Sequence, residues 1–164
     1  MIRRRRTVPE DVDFLWRMLY FASHSNDEPG IRPGDIRSDP ELVGYIEGWK
    51  TAGHFGVIAE VDGMPVGAAW LRAPAGGGDS NPVFVDEDTP ELAVAVEPGF
   101  EGRGIGSTMI RDLFADVIGE FPAVVLSARA ENPAVRLYER LGFATVSTIG
   151  NRVGTVSVKM VKTL

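Results

Sequence analysis

The stretch that most constrains the fold is an apolar run followed by a glycine-rich turn and a helical pattern. Residues 92–96 are all apolar, which is typical of a buried strand. Glycines recur from residue 99 to residue 106, and apolar side chains step by four from Ile105 to Val117, which predicts a helix. Residues 123–126 predict the next strand. A strand, a helix and a strand in this order predict a crossover between two parallel strands.

The first part of the chain, residues 2–53, predicts one strand and two helices. Residues 2–6 hold four arginines, which we expect in a strand with arginines at alternate, solvated positions. A helix is predicted over 9–24, where apolar residues step by four and three. The residues of its buried face are Val8, Val12, Leu15, Leu19 and Ala22. A second helix is predicted from Asp39, as N-cap, to Gly53. The residues of its buried face are Leu42, Ile46 and Trp49.

Turn residues divide the rest of the chain. Asp62-Gly63 between two strand-like runs predicts a hairpin. Residues 73–89 contain Gly76-Gly77-Gly78 and two prolines, which indicates a loop. Another helix is predicted over 132–140, and two final strands over 143–148 and 155–161. The element order β-α-α-β-β-β-α-β-α-β-β predicts an α/β fold: a single mixed, mostly antiparallel central sheet of about seven strands with helices on both faces.

Composition excludes several classes of protein. A length of 164 residues predicts a single domain over 1–164. The net charge of −6 argues against general nucleic-acid binding, although the four arginines could form a nucleic-acid arm. The absence of cysteine excludes disulfides, thiolate metal sites and a cysteine nucleophile. Since no apolar run spans a membrane and none follows the arginines as a signal peptide requires, we predict a cytoplasmic location.

The glycine-rich turn predicts an anion site. Glycines let backbone N–H groups converge without obstruction, and the start of the following helix adds unpaired N–H donors and a positive dipole end. This combination suits a pyrophosphate, and Arg103 could add a formal charge. The spacing Gly102-x-Gly104-x-Gly106 matches neither the dinucleotide fingerprint nor the P-loop. The same glycines would also suit a plain connection in which they serve packing.

A second segment, residues 132–143, allows a resemblance to be stated. Its helix pattern places a tyrosine one turn before the helix end. The two segments and the strand order together resemble the GNAT superfamily of acyl-CoA-dependent N-acyltransferases. The family's phosphate motif is roughly [RQ]-x-x-G-x-[GA], and its later motif reads A-x-x-L-Y-x-x-x-G-F. The residues matching the later motif are Ala134, Leu137, Tyr138, Gly142 and Phe143.

The resemblance implies acetyl-CoA as co-substrate and a role for each matched residue. The backbone of Val94 and Val96 would pair with the pantetheine arm where this strand splays from its neighbour. Tyr138 matches the general acid near the thioester sulfur. Backbone amides would hold the pyrophosphate, from Glu101, Gly102, Arg103, Gly104, Ile105, Gly106 and Ser107. Dimerisation is common in the family, and the last two strands are where a homodimer interface would be sought.

Two positions depart from the family pattern. Glu101 stands where Arg or Gln is usual, so we expect its side chain to face solvent, with Arg103 offsetting its charge. The family often has an Asn seven residues before the Tyr, but that position is Glu131. Asn132, six residues before, could contact the cofactor or cap the helix that Pro133 opens, and the two roles are compatible.

Chemistry suggests further candidates. The attacking amine must lose a proton, and Glu91, which opens the motif strand, is the favoured base, with Glu97 a weaker one. Glu91 could instead belong to a solvated acidic run at 86–88. A backbone N–H near Val94 is the natural oxyanion donor. With no cysteine and no G-x-S-x-G turn, we predict direct transfer in a ternary complex.

The acceptor is less constrained. Trp16, Tyr20 and Phe21 could line an acceptor cleft or belong to the core, and the acids of 26–35 and 79–91 would attract a cation. His24 could lie near that cleft, whereas His54 is expected to be structural, and their separation predicts no metal site. We therefore predict acetylation of a primary amine of a small molecule. A protein acceptor (an N-terminus or a lysine) and a non-catalytic acyl-CoA sensor are the alternatives.

Overall fold

Seven strands form one mixed sheet with the order β1-β2-β3-β4-β5-β7-β6. The structure is a computed structural model, and it describes residues 1–47, 55–73, 83, 85–151 and 154–164. The strands are β1 (Ile2–Arg6), β2 (Gly56–Val61), β3 (Met64–Arg72), β4 (Glu91–Val96), β5 (Ala123–Arg129), β6 (Ala144–Gly150) and β7 (Val156–Thr163). The α-helices of the described ranges are α1 (Val12–Ala22), α2 (Ile105–Val117) and α3 (Ala134–Arg140).

The pairing confirms the predicted mixed sheet. β1 with β2, β2 with β3, β5 with β7, and β6 with β7 are antiparallel. β4 and β5 are parallel, as the crossover through α2 requires. The hairpin between β2 and β3 is also confirmed: Asp62 and Gly63 have φ of 51° and 81°, the left-handed conformations that a tight hairpin turn needs.

The chain divides into two compact units. The first comprises Met1–Arg72 with Ala93–Asp116, and the second comprises Ala73–Leu92 with Val117–Leu164. β4 and α2 each contribute residues to both. The expectation of a single domain over 1–164 stays a prediction.

The arginines of β1 form ion pairs. Arg6 binds both carboxylate oxygens of Asp116 at 3.1 and 2.8 Å, and Arg4 binds Asp112, one turn earlier on α2. Residues two apart on a strand and four apart on a helix each lie on one face, so the two pairs can form side by side. The strand is confirmed, and Arg3, Arg4 and Arg6 are exposed as expected, the latter two with ion-pair partners. Arg5 departs from the expectation, because it is half-buried and pairs with Asp11 and Glu60.

The core of the first unit lies between α1 and the strands. Leu15, Met18 and Leu19 of α1 are buried together with Trp70 of β3, whose indole N–H donates to a backbone carbonyl at 3.0 Å. Val8 was predicted on the same face but is 44% exposed. The reason is that Pro9–Asp11 forms a 3-10 helix, whose three residues per turn break the α-helical face.

The second predicted helix is not an α-helix in its described part. Residues 39–47 contain only a 3-10 helix, Val43–Tyr45. The Asp39 carboxylate accepts the Glu41 amide at 2.9 Å, which is the bond that a helix N-cap makes, but Gly44 lowers the helix propensity of the residues that follow. Leu42 and Ile46 are buried as predicted. Trp49 and Gly53 lie outside the described residues.

The second unit pairs β5, β7 and β6 and carries α3. α3 is followed by Gly142 at φ +99°, a conformation that favours glycine, and then by the buried Phe143. β6 lies at the end of the strand order and is exposed along almost its whole length. Among the described residues no helix has the length and apolar character needed to cross a membrane.

Candidate active site

The strand β4 becomes more exposed along its length. Glu91 opens it opposite Val125 of β5, and the Val125 amide donates to the Pro90 carbonyl at 3.0 Å. Glu91 is buried, whereas Val94 and Val96 are half-buried. The part of β4 that the resemblance assigns to the pantetheine arm is therefore the more open part of the strand.

The loop after β4 takes its shape from glycine conformations. Gly99, Gly102 and Gly104 have φ of +92°, +75° and +76°, in the region that L side chains rarely adopt. A Cβ built at Gly99 or Gly102 would meet no atom within 4 Å. Crowding therefore does not explain the glycines at these two positions, and packing alone does not account for the motif. What the loop requires is the left-handed backbone.

The N-terminus of α2 leaves backbone donors unpaired within the helix. The first helical bond of α2 runs from the Thr108 amide to the Gly104 carbonyl at 3.1 Å. The amides of Ile105, Gly106 and Ser107 precede that bond and have no carbonyl one turn earlier in the helix. A row of such amides at the positive end of a helix dipole can bind an anion such as a pyrophosphate.

Two charged side chains hold the loop at Gly99. The exposed Glu101 accepts the Gly99 amide at its carboxylate at 2.9 Å. Arg103 donates to the Gly99 carbonyl at 3.4 Å, and its guanidinium lies 5.0 Å from the centre of the Phe100 ring. Glu101, the departure from the family motif, thus binds the loop backbone.

Glu97, the weaker base candidate, is already paired. Arg17 of α1 binds both of its carboxylate oxygens, with Nη2 2.9 Å from Oε2. A carboxylate held in this way is a poor acceptor for a substrate proton. The pair itself was not anticipated, since no sequence pattern connects residues 80 positions apart.

Tyr138 lies on α3 in the second unit. It is 9% exposed, and its ring packs edge-on against Phe143, with the ring centres 6.0 Å apart. Burial raises the pKa of the Tyr138 phenol to about 12, because the low-dielectric surroundings disfavour the phenolate. Its hydroxyl makes no hydrogen bond with another described residue and is not enclosed away from solvent. Tyr138 therefore keeps a proton that it is free to donate.

Asn132 caps α3. Its side-chain oxygen accepts the amide of Ala134, the first residue of α3, at 2.9 Å, and Pro133 between them already has helical backbone angles. The capping role is thus observed, while a contact with the cofactor stays a prediction.

Glu91 differs from the acids that precede it in the chain. Residues 86–88 are exposed, and Asp86 accepts the Asp88 amide at 2.9 Å, whereas Glu91 is only 2% exposed. The alternative that Glu91 belongs to this solvated run does not hold. Its role as a base stays a prediction.

The acceptor-side candidates lie in the first unit. Trp16, Tyr20 and Phe21 are half-buried and pack against the core, and the Tyr20 hydroxyl donates to the Ile31 carbonyl at 2.9 Å. His24, at φ 58°, contacts Asp27 at 3.3 Å.

The acids of this region have local partners. Besides the contact of Asp27 with His24, the Asp35 carboxylate accepts the Arg32 amide at 2.8 Å. A hydrogen bond from a neutral donor leaves a carboxylate charged, so the attraction of a cationic acceptor stays a prediction. His54 lies outside the described residues, and within the described ranges no group of three or more His, Asp or Glu side chains could hold a metal ion.

The sequence matches the family model of the acetyltransferase (GNAT) family over residues 3–143. The chain therefore belongs to the GNAT acetyltransferase family. The predicted enzyme class, an acetyl-CoA-dependent acetyltransferase, is confirmed at the level of the family. A non-catalytic acyl-CoA sensor of the same family stays the alternative.

One relative of the chain is a mycothiol acetyltransferase from Streptomyces avermitilis. The two are 30% identical over an alignment of 152 positions, which covers 88% of this chain and 43% of the relative. The chain thus spans less than half the length of that protein.

Solved structures share the fold. A ribosomal-protein-alanine N-acetyltransferase from Brucella melitensis has a TM-score of 0.72 at 22% identity, covering 99% of each chain. The yncA protein of Salmonella typhimurium, solved with its cofactor acetyl-CoA, also has a TM-score of 0.72, at 19% identity over 100% of this chain and 94% of its own. At these identities the likeness establishes the fold, and the predicted α/β class is confirmed.

Proposed function

We propose that the chain transfers an acetyl group from acetyl-CoA to a primary amine of a small molecule, directly and in a ternary complex. The observation that carries this is Tyr138: a buried phenol whose hydroxyl is unpaired among the described residues and whose pKa is about 12. A protein that only binds acyl-CoA needs no proton donor at this position, whereas a reaction in which a thiolate departs does need one.

The loop after β4 fits the donor. Acetyl-CoA supplies a thioester that an amine can attack. The unpaired amides of Ile105, Gly106 and Ser107, at the positive end of α2, would bind its pyrophosphate. The backbone of the half-buried Val94 and Val96 would pair with the pantetheine arm, and a nearby amide would donate to the developing oxyanion.

The remaining roles concern protons. Tyr138 would protonate the departing thiolate, and its raised pKa keeps the phenol neutral throughout the physiological range. Glu91, buried at the start of β4, would take the proton of the attacking amine, directly or through water. Asn132 would support the cofactor from the start of α3, in addition to its capping bond.

A small acceptor is favoured by the relative that is 30% identical, which is named for mycothiol, a small molecule. The neighbours named for ribosomal proteins lie below 25% identity and support the fold alone. We also propose that the enzyme acts in the cytoplasm without a metal. A homodimer through β6 and β7 is a further expectation.

Donor binding is tested by thermal shift with acetyl-CoA. A ligand that binds only the folded state stabilises it by about 2.7 kcal/mol at one hundred times its dissociation constant. We expect a clear shift for the wild type and none for Gly104→Glu, which puts a negative side chain into the loop. Gly30→Glu is the matched control, since Gly30 has a similar φ of +78° but lies outside the loop. Absence of a wild-type shift at millimolar acetyl-CoA would contradict the proposal.

A further inference from the structure

The ion pair of Arg17 and Glu97 joins α1 to the loop after β4. Arg17 contacts both carboxylate oxygens, Nε with Oε1 and Nη2 with Oε2, the latter at 2.9 Å. The Glu97 side chain is 16% exposed and that of Arg17 49%. A bidentate pair of arginine and carboxylate fixes the relative orientation of the two groups as well as their distance, whereas a single contact fixes only the distance.

Glu97 is also the point where the strand ends and the loop begins. Its amide donates to the Val66 carbonyl of β3 at 2.7 Å. Its own carbonyl accepts the Phe100 amide at 3.0 Å, which closes the first turn of the loop. Because the backbone of Glu97 makes both bonds, a contact that fixes the Glu97 side chain also restrains the start of the loop.

Arg17 is itself supported. Its guanidinium carbon lies 5.4 Å from the centre of the Phe21 ring, one turn further along α1. Phe21 packs against the buried core of the first unit. The cation is therefore held against a part of α1 that the core fixes, and less freedom is lost when it binds Glu97.

We propose that Arg17 is a positioning residue for donor binding. Acting through Glu97, it holds residues 97–104 in the conformation that binds the pyrophosphate of acetyl-CoA. This inference rests on the proposed function. It also makes α1, which carries the aromatic candidates for the acceptor cleft, a determinant of donor affinity.

The test compares Arg17→Ala, Glu97→Gln and the charge exchange Arg17→Glu with Glu97→Arg. Two quantities are measured: hydrogen exchange of the amides of residues 99–107 in the ligand-free protein, and the dissociation constant of acetyl-CoA by titration calorimetry. Each single variant should exchange faster in the loop and bind acetyl-CoA about three- to tenfold more weakly, the range expected for a charge-assisted pair that is partly exposed. The charge exchange should restore most of both losses.

Arg37→Ala is the matched control. Arg37 likewise pairs with a carboxylate, that of Asp13, at 3.1 Å, and lies 5.4 Å from the ring centre of Trp16. No contact of Arg37 with the loop is found in the described part of the chain, so both measurements should match the wild type. Thermal denaturation of each variant separates a loss of global stability from a change in the loop.

Three results would overturn the inference. Unchanged loop exchange and unchanged acetyl-CoA affinity in Arg17→Ala would show that Arg17 does not position the loop. Tighter binding in Glu97→Gln would show that the Glu97 charge only repels the donor. Weaker binding with unchanged loop exchange and no rescue by the charge exchange would make Arg17 a direct ligand contact. If the wild type binds no acetyl-CoA, the proposed function fails. The hydrogen-exchange measurement still tests whether Arg17 restrains the loop, because it is made on the ligand-free protein.

Discussion

Tyr138 illustrates how position in the fold sets the chemistry of one side chain. The motif identified it from the sequence, but only the structure shows that the residue is buried and that its hydroxyl has no hydrogen-bond partner among the described residues. Burial raises the pKa of the phenol to about 12, so at neutral pH the proton stays on the oxygen. In the proposed reaction this phenol is the hydrogen-bond and proton donor for the thiolate that leaves the thioester.

Replacing Tyr138 by Phe should therefore reduce kcat and leave donor binding unchanged. General acids contribute about a hundredfold or more to rate, so we expect a loss of at least that order. The edge-on contact with Phe143 is kept, because only the hydroxyl is removed. Turnover and the acetyl-CoA dissociation constant are measured on the same preparation. Equal turnover in the two proteins would remove Tyr138 from the mechanism.

Asp11 is a buried carboxylate whose pKa is lowered, in contrast to the raised pKa of Tyr138. Burial alone would raise its pKa, but hydrogen bonds from Arg5 and from the Val8 amide, together with the Arg5 charge, outweigh burial and lower it. The bonds are short, with Arg5 at 2.8 and 2.9 Å and the amide at 2.8 Å. Because the folded state favours the ionised form, this stability is present above the unfolded pKa and is lost as pH falls through the folded value.

Asp11→Asn should destabilise the protein at neutral pH. Removing the charge weakens the hydrogen bonds between Arg5 and residue 11, and we expect the free energy of unfolding to fall by about 1–3 kcal/mol. Urea unfolding at neutral pH and below about pH 4 measures it, and the variant should differ less from the wild type under acid. Asp13→Asn, whose side chain is 83% exposed, is the control and should change little. A constant difference at all pH values would contradict the assigned cause.

At the scale of elements, local pattern and tertiary contacts agree for most of the chain. The crossover through α2, the hairpin at Asp62-Gly63 and the helix capped by Asn132 lie where residue types and spacing predict them. The region after Asp39 does not: Asp39 makes the bond of a helix N-cap, but residues 39–47 form only a 3-10 helix around Gly44, although Leu42 and Ile46 are still buried. Burial of apolar side chains was thus easier to predict than the backbone that carries them.

Gly67 on β3 is an element-scale constraint that no motif marks. A Cβ there would lie 3.0 Å from the Met109 methyl carbon and 3.2 Å from the Ala95 carbonyl oxygen. Gly67→Ala should therefore lower the free energy of unfolding by about 1–3 kcal/mol, which is the usual effect of adding atoms to a well-packed core. Gly34→Ala is the control, since a Cβ there meets nothing within 4 Å. The midpoint of urea unfolding measures both, and equal midpoints would show that β3 and α2 adjust freely.

At the scale of the whole molecule, the absence of cysteine constrains the kinetic mechanism. The family gives an acetyltransferase, and a chain without a thiol has no ready acceptor for a thioester intermediate. The acetyl group is then expected to pass to the amine while donor and acceptor are bound together.

Direct transfer predicts intersecting lines in double-reciprocal plots of initial rate, with any amine that the chain acetylates. Intact-mass measurement after incubation with acetyl-CoA alone should show no acetylated protein. Parallel lines together with a stable acetyl adduct would indicate ping-pong transfer and contradict the mechanism. Tyr138→Phe serves as a matched control for the mass measurement, because it should slow turnover without creating an adduct.

The sequence by itself determined the order of elements, the glycine turn, the family motifs and hence the class of reaction. These depend on local spacing, on backbone conformations that glycine allows, and on a tyrosine at a motif position. Only the tertiary structure decided that Glu91 is buried and that Arg17 pairs with Glu97. The ion pair joins residues 80 positions apart, and the burial of a side chain depends on all the elements packed around it, so no local pattern encodes either.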